Sequence, residues 1–298
     1  MSDRFLELRA FVRAADTGSF SRAARELRLS QPSVSRLVAA LEDRLGVPLL
    51  LRTTRQVAPT EAGLAYLERV RPLLADLDDA DAAAGGGGGL RGTLRVALPV
   101  TLGSREIVPR LGAFLDRHPA LTLDLRMDEK PQDLIEEGVD LALRVGRPVD
   151  SEFGLRRIAV APRLAIASPG YLDRHGVPAT PAALADHPCI LGPGQSDGQA
   201  WTFGHASGAA VSVRVQGPLR VGAAQAVTAA VAAGIGIGVA SRWMCRRELT
   251  AGEVVAILAD YPLAPAELFA LLPAGRRTSM RARAFVDHLA ASFAEDPA

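Results

Sequence analysis

The chain has 298 residues, which is enough for two or three domains with a substantial hydrophobic core. Its net charge is only +1, and it contains no run of about 18 apolar residues, so we expect no membrane span. The charged N-terminus is not typical of a secretory signal peptide. The two cysteines, Cys189 and Cys245, are too few for a disulfide framework or a four-cysteine metal site. We therefore expect a cytoplasmic protein that does not bind membranes.

Charge is distributed unevenly along the chain. Residues 1–58 contain ten Arg and six Asp or Glu, a net charge of +4. Residues 59–298 contain 24 basic and 27 acidic residues, a net charge of −3. Because contact with nucleic-acid phosphates requires an excess of cations, this difference favours a nucleic-acid-binding N-terminal end.

The first predicted helix covers residues 4–15. Its inner face carries four apolar side chains: Phe5, Leu8, Phe11 and Val12. Residues 16–19 end this helix and cap the next one. The spacing therefore predicts a short helix that packs against the segment following it.

Residues 20–50 have the pattern of two short helices joined by a tight turn. Apolar residues recur at intervals of three and four on both, at Ala23, Ala24 and Leu27 and then at Val34, Leu37, Val38, Leu41 and Leu45. Ser30 is a suitable N-cap for the second helix, and Pro32 lies in its first turn, where a missing N–H is tolerated. The opposite face carries side chains suited to base edges and phosphates: Gln31, Ser33, Ser35 and Arg36. This pattern predicts a helix-turn-helix.

The segment after the second helix has the pattern of a β-wing. Residues 48–57 form a short β-prone pair with Arg52 and Arg55 near its tip, where they can reach the flanking DNA backbone. The alternative is a helical hairpin with a solvated polar face, and the charge distribution favours DNA binding instead. The candidate DNA-binding residues are Ser30, Gln31, Pro32, Ser33, Ser35, Arg36, Arg52, Thr53 and Arg55.

A long helix is predicted from Thr60 to about residue 84. Thr60 can cap it, and Leu64, Leu67, Val70, Leu74 and Leu77 form a near-heptad stripe. The stripe favours a dimerisation helix, and the alternative is a helix packed on its own domain. Pro72 is expected to bend it. The five glycines at 85–89 are expected to form a flexible hinge.

From residue 93 strands and helices alternate. Strands are predicted at 94–98, 121–127 and 141–145, with helices at 104–117 and 130–137 between them, which favours a largely parallel α/β sheet. A second unit covers residues 164–264, and the chain returns to the first with a strand at 267–272 and a final helix at 280–294. Two units joined by two crossovers leave a cleft of the kind that binds small molecules.

The residues that follow the strand ends are the candidate ligand contacts in this cleft. Thr101 is expected to cap the helix after the first strand, with free N–H groups facing an anion. Either of two arginines can pair with such an anion. The candidate effector-binding residues are Thr101, Leu102, Ser104, Asp128, Arg144, Arg147, Gly222 and Gln225. For each one the alternative is a helix cap, a surface ion pair or a crossover contact.

Other chemistries have no support in the sequence. Gly234, Gly236 and Gly238 enter a strand instead of opening a helix, so they predict close backbone packing and no dinucleotide site. The five histidines are scattered without metal-ligand spacing, and no nucleophile elbow or paired catalytic carboxylates occur. We expect no catalytic residues, no metal and no cofactor. Cys189 and Cys245 are expected to be buried inert thiols, with a redox pair as the alternative.

The run from Phe11 to Gly63 resembles the N-terminal domain of LysR-type transcriptional regulators. The matching segments are Gly18-Ser19-Phe20, Ala23-Ala24, residues 29–35, Leu41-Glu42, Leu45-Gly46, Leu49-Leu50, Arg52-Thr53 and residues 60–63. The length and the downstream layout fit the same family, so the resemblance covers essentially the whole chain. The alternative is a solute-binding or enzymatic α/β protein with a helical extension.

The resemblance implies a fold class of α/β type with an N-terminal all-α winged helix-turn-helix, a long linker helix and a periplasmic-binding-protein-like effector domain of two subdomains. The expected boundaries are 1–59 for DNA binding, 60–92 for the linker and hinge, and 93–298 for the effector domain. Within it, subdomain I covers 93–163 and 265–298, and subdomain II covers 164–264. The implied partners are double-stranded DNA with an inverted-repeat operator, a small-molecule effector, RNA polymerase, and identical chains in a homodimer or homotetramer formed through helix 60–84.

Overall fold

The computed structural model describes residues 3–52, 57–84, 89–129, 138–146, 154–193, 200–204, 210–272 and 278–296. The helix expected at 130–137 and most of the glycine hinge, 85–88, lie outside these ranges.

Three helices form the N-terminal core: α1 (Arg4–Thr17), α2 (Phe20–Leu27) and α3 (Gln31–Leu45). Gly18 ends α1 with a φ of 61°, and the Ser19 hydroxyl accepts a hydrogen bond from the Arg22 N–H at the start of α2. The prediction that Phe5 faces the core is wrong, because this side chain is 54% exposed and the buried face of α1 begins one turn later.

A two-stranded wing follows α3. Strands β1 (Leu50–Arg52) and β2 (Val57–Pro59) are antiparallel, with Leu51 opposite Ala58. The Glu42 carboxylate of α3 accepts hydrogen bonds from the N–H groups of Leu49 (2.8 Å) and Leu50 (2.9 Å), which fixes where the wing begins. The predicted helix-turn-helix and wing are therefore confirmed as a local fold.

Helix α4 (Glu61–Ala84) extends from the wing, and the Thr60 hydroxyl caps it by accepting from the Gly63 N–H (2.9 Å). Three residues of its apolar stripe, Leu67, Val70 and Leu74, are buried with the N-terminal core. Leu64 and Leu73 are 47% and 62% exposed. One side of α4 thus packs on its own domain, and the exposed Leu64 and Leu73, nine residues apart and so on opposite sides of the helix, flank that packed side.

The remaining elements belong to two α/β units. In chain order they are β3 (Gly92–Leu98), α5 (Val100–Leu102), α6 (Gly112–Arg117), β4 (Leu121–Met127), β5 (Leu141–Val145), β6 (Gly154–Ala161), β7 (Arg163–Ala167), α7 (Pro169–His175), β8 (Cys189–Leu191), β9 (Ala200–Phe203), β10 (Val211–Arg214), β11 (Leu219–Arg220), α8 (Ala224–Ala232), β12 (Ile237–Ser241), α9 (Arg242–Thr250), β13 (Val255–Ile257), β14 (Ala266–Leu272) and α10 (Met280–Glu295).

Two five-stranded sheets organise these units. One has the strand order β4-β3-β5-β14-β6 and the other β11-β8-β12-β7-β13. In each sheet two neighbouring pairs are parallel and two are antiparallel. The predicted strands β3, β4 and β5 pair in parallel as expected, and the antiparallel strands β14 and β6 make the complete sheet mixed. Every antiparallel pair includes a strand next to a crossover. The chain leaves the first sheet after β6 and enters the second at β7, and it returns from β13 to β14. Gly236 approaches the Pro188 carbonyl so closely that a Cβ there would lie 2.3 Å from its oxygen, which confirms the predicted close backbone packing.

The prediction of a single helix at 104–117 is wrong. Helical structure begins already at Val100 and passes through a π-helical turn (Gly103–Ile107) and a 3-10 turn (Val108–Arg110) before α6. Pro109 lacks a backbone N–H, which weakens a regular helix at this position.

Candidate DNA-binding and effector-binding sites

The recognition face of α3 points into solvent. Gln31, Pro32 and Arg36 are exposed, and Ser33 and Ser35 are half-buried. The other face of α3 is anchored by Val34, Val38 and Leu41, all fully buried. A polar face on a rigidly packed helix satisfies the geometric requirement for insertion into a major groove.

The start of α3 is held by side-chain hydrogen bonds. Ser30 caps the helix by accepting from the Ser33 N–H (3.2 Å), and its hydroxyl is 2.7 Å from the Ser33 hydroxyl. Arg36 Nη2 lies 3.5 Å from Ser33 Oγ, so the guanidinium is directed towards the helix N-terminus. Ser30 and Ser33 therefore stabilise the N-terminus of α3, in addition to any contact with DNA.

The predicted wing residues are placed only in part. Arg52 is the last residue of β1, opposite Val57 in β2. The Val57 N–H donates to the Gly18 carbonyl (3.1 Å), which ties the wing to the turn between α1 and α2. Thr53 and Arg55 lie outside the described residues.

A cavity of about 430 Å³ lies between the two sheets. Elements of both units contribute to its wall: Pro99, Thr101, Leu102, Glu129, Arg144, Val145, Arg163, Gly192, Pro193, Ala224, Val227, Val239, Ala240, Ser241, Met244 and Ala266. The wall is mostly apolar with a few charged groups, which is typical of a site for a small organic ligand.

Thr101 does not cap the helix as expected. The N-cap position of α5 is Pro99, and no side chain caps it. The Thr101 N–H (3.2 Å) and hydroxyl (3.0 Å) both donate to Glu129 Oε1. A carboxylate of the protein itself thus occupies the position where the sequence predicted an external anion.

The structure brings together only some of the predicted effector-binding residues. Thr101, Leu102 and Arg144 line the cavity. Four other candidates lie outside its lining: Ser104, Asp128, Gly222 and Gln225. The Ser104 hydroxyl instead donates to the Val100 carbonyl (2.9 Å). Arg147 lies outside the described residues.

Several lining residues were missed by sequence reasoning. Glu129 directly follows the predicted candidate Asp128, and Arg163 lies at the crossover between the units. Ser241 and Met244 come from the junction of β12 and α9, a helix that the sequence analysis did not predict. The position of residues 128–130 after a strand was the only signal for Glu129.

A bidentate ion pair joins the two units next to the cavity. Arg105, in the turn after α5, donates to both carboxylate oxygens of Glu248 in α9 (2.9 and 2.7 Å) and to the Met244 carbonyl (2.6 Å). The hydrogen bond from Arg105 lowers the pKa of the Glu248 carboxyl. Since Met244 lines the cavity, this pair connects its wall to both units.

Both cysteines are buried thiols. Burial raises the pKa of Cys189 to about 12 and that of Cys245 to about 11. A thiol with such a pKa carries almost no thiolate at neutral pH, and the thiolate is the reactive form. The interpretation as inert thiols is therefore supported over a redox pair.

The described residues hold neither a metal-ligating cluster nor a membrane-spanning helix. No three His, Cys, Asp or Glu side chains are grouped within them in a way that can hold a metal ion. None of the helices in the described part of the chain combines the length and the apolarity of a transmembrane helix.

A family model described as a bacterial regulatory helix-turn-helix protein of the lysR family matches residues 5–64, and a LysR substrate binding domain matches residues 87–294. The chain belongs to the LysR family. It is a LysR-type transcriptional regulator with a helix-turn-helix DNA-binding domain and an effector-binding domain, and its relatives are regulators and not enzymes.

Similar LysR-type regulators match over nearly their full length. An uncharacterized HTH-type regulator of Haemophilus influenzae is 32% identical, over 94% of this chain and 97% of that protein. CrgA of Neisseria meningitidis serogroup C is 32% identical, over 95% of each. A solved CrgA structure has a TM-score of 0.61 at 30% identity, covering 96% of this chain and 97% of that one. The Vibrio cholerae virulence activator AphB has a TM-score of 0.60 at 25% identity, covering 96% and 98%. The predicted family, fold class and regulatory function are thus confirmed.

Proposed function

We propose that this LysR-type regulator binds an inverted-repeat operator through the exposed face of α3, with Gln31 and Arg36 as the main base-reading side chains. The single observation that carries this proposal is that these two side chains are exposed on a helix whose other face is fully packed. Arg52, Thr53 and Arg55 of the wing are the proposed contacts to the flanking phosphates. Since operator DNA is in the cytoplasm, we infer that the protein works there.

The proposed assembly is a homodimer or homotetramer formed through α4. Its support is the near-heptad stripe of that helix, of which Leu64 is left 47% exposed. A two-fold dimer presents two recognition helices to successive major grooves, which accounts for an inverted repeat. Contact with RNA polymerase stays a prediction of the family resemblance.

The proposed effector is a small, mainly apolar carboxylate bound in the cavity between the units. The apolar wall and the two lining arginines, Arg144 and Arg163, support this class of ligand. In this proposal residues 1–59, 60–92 and 93–298 act as DNA-binding, linker and effector domains. The two subdomains, 93–163 with 265–298 and 164–264, can be open or closed around the cavity, and the effector favours one of these two states. It shifts the equilibrium between them only by the difference in its affinity for the two.

A mobility-shift experiment with the DNA upstream of the protein's own gene tests the DNA-binding proposal. The protein is expected to retard this fragment in the presence of excess unrelated DNA, and the affinity is expected to fall steeply between about 50 and 200 mM salt. Equal affinity for the upstream fragment and unrelated DNA contradicts sequence-specific binding. Screening small aromatic and aliphatic carboxylates by thermal shift tests the effector class, since a ligand of the native state raises its melting temperature.

A further inference from the structure

Asp16 joins three parts of the molecule. It lies in the last turn of α1, and its carboxylate is 2.6 Å from Arg71 Nη2 of α4 and 2.6 Å from Arg95 Nη2 of β3. The Asp16 side chain is 8% exposed and that of Arg95 is 13% exposed. One carboxylate of the DNA-binding domain therefore holds the linker helix and the first strand of the effector domain together.

Asp78 forms a second junction of the same kind, in which the carboxylate comes from the linker helix. This carboxylate belongs to α4, and it is 2.7 Å from Arg9 Nη2 of α1 and 3.7 Å from Arg281 Nη1 of α10. Arg281 is also fixed by donating to the Arg91 carbonyl (3.0 Å). Asp16 of the DNA-binding domain thus contacts arginines of the linker helix and the effector domain. Asp78 of the linker helix contacts arginines of the DNA-binding domain and the effector domain.

The linker helix also touches the effector domain directly. A Cβ at Gly138 would lie 1.8 Å from Arg71 Nη1, so the guanidinium of Arg71 rests on the backbone of residue 138. The φ of Gly138 is +60°, a conformation that glycine adopts readily. Arg71 is therefore held between Asp16 on one side and the effector domain on the other.

The strand that carries Arg95 continues to the effector cavity. The Arg95 N–H donates to Asp140 Oδ2 (2.7 Å), which anchors this part of β3 within the sheet. Thr101 of the cavity wall follows six residues later, just beyond the end of this strand at Leu98. The neighbouring strand β4 is paired in register with β3 and leads to Glu129, the acceptor for Thr101. The junction thus lies at the middle of β3, and the cavity lies just beyond the carboxyl end of the same pair of strands.

The junctions leave the DNA-reading surface open. Gln31 and Arg36 are exposed while Asp16 and Asp78 hold the DNA-binding domain against the effector domain. The contacts therefore determine the orientation of α3 and do not cover it. A change at the cavity that moves β3 has a direct mechanical route to α1 through Arg95 and Asp16.

We infer that Asp16 and Asp78 form an ionic lock, made of these residues with Arg9, Arg71, Arg95 and Arg281, that couples the effector cavity to the orientation of the DNA-binding domain within one chain. This inference rests on the proposed function only in so far as it needs DNA at α3 and a ligand in the cavity. The Asp16 pairs are little exposed and short, and charge-assisted pairs of this kind are directional, so they give the lock one favoured geometry and a released alternative. The more exposed Asp78 pairs add a second, weaker contact. Asp16 and Arg95 are positioning residues for coupling and not DNA contacts.

The first test measures the lock without DNA or effector. Spin labels at Ser21→Cys on exposed α2 and Val177→Cys on the effector domain report the distance between the domains, with excess unlabelled chain present so that each assembly carries one labelled chain. The full chain is expected to give a narrow distance distribution. Asp16→Asn and Arg95→Gln are expected to broaden it, whereas the control Arg157→Gln, whose ion pair with Glu267 stays within the effector domain, leaves it narrow. Unchanged distributions in both lock variants overturn the inference.

The second test measures coupling by hydrogen exchange with the upstream DNA fragment. DNA binding is expected to change the protection of residues 92–98 in the unaltered protein and in Arg157→Gln. In Asp16→Asn the DNA affinity is expected to stay within about threefold while this response is lost. A response that persists in Asp16→Asn, or an Asp16→Asn protein that folds and no longer binds DNA, overturns the coupling role. If the unaltered protein does not bind the fragment, the proposed function fails, and the spin-label distances still decide whether the lock exists.

Discussion

The carboxylate of Glu129 accepts hydrogen bonds from both the backbone N–H and the hydroxyl of Thr101. These are the donors that an external carboxylate needs at this end of the cavity. Glu129 is an exposed residue on the bend after β4, and the backbone there is fixed because the Asp128 N–H donates to the Leu98 carbonyl (3.1 Å). Its side chain is therefore able to leave while the backbone stays in place.

Replacing Glu129 is expected to open this position for small carboxylates. In Glu129→Ala the affinity for benzoate is expected to rise about tenfold or more, because a charged hydrogen-bond pair contributes about 1.5–3 kcal/mol. Calorimetric titration of benzoate into the two proteins measures the change. Glu253→Ala, which removes an exposed carboxylate far along the chain after α9, is the control. Equal affinities in Glu129→Ala and the unaltered protein contradict the role of Glu129 as an internal competitor.

Removing the Glu42 carboxylate is expected to destabilise the DNA-binding domain. In Glu42→Ala the N–H groups of Leu49 and Leu50 lose their acceptor, and both residues are buried. The loss is expected to be about 2 kcal/mol in the free energy of unfolding, since hydrogen bonds to charged groups are among the stronger ones. Urea denaturation measures it. A variant as stable as the parent shows that the wing is fixed by other contacts.

The Arg105–Glu248 pair is expected to make stability depend on pH. Because Arg105 lowers the pKa of Glu248, the pair stabilises the protein above the ordinary pKa of a glutamate, and this contribution is lost as the pH falls through the lowered value. Arg105→Gln is expected to cost about 2 kcal/mol at pH 7. The difference from the parent is expected to shrink below about pH 4.

Denaturation of Arg105→Gln at a series of pH values measures this dependence. Arg157→Gln is the matched control, because its side chain is 62% exposed and surface pairs contribute about 0.5 kcal/mol or less. A difference between Arg105→Gln and the parent that is the same at pH 7 and at about pH 3 rules out the Glu248 titration as its cause.

The two thiols are expected to be unreactive in the native protein. With pKa values raised to about 12 and about 11, Cys189 and Cys245 react with a disulfide reagent only after unfolding. Spectrophotometric titration at pH 7.5 is expected to find no fast thiol in the folded protein and two in denaturant. A fast native thiol restores the redox-sensing alternative.

Local features of this fold were predictable from the sequence. Gly18, Ser19, Ser30 and Thr60 act within a few residues of their own position, so their cap and turn chemistry is visible in a short segment. The apolar spacing of α3 likewise identified its buried face. These features include the candidate DNA-reading surface, which is why that surface was defined at residue level.

The effector cavity was less predictable because its contacts join distant segments. Thr101 meets Glu129 at the end of a neighbouring strand, and Arg105 meets Glu248, which lies 143 positions later in the chain. The direction of β6 and β14 depends on where the chain crosses between the sheets, which apolar spacing does not reveal. Sequence patterns therefore located the cleft and missed much of its lining.

The most direct test of DNA reading by α3 is the operator affinity of Arg36→Ala. Loss of a base-edge contact is expected to weaken binding to the upstream fragment about 10–100-fold, with less effect on unrelated DNA. Arg4→Ala, which removes an exposed arginine at the start of α1, is expected to change the affinity for both DNAs little. If Arg36→Ala folds, assembles and binds the upstream fragment as tightly as the unaltered protein, the assignment of the recognition face is contradicted.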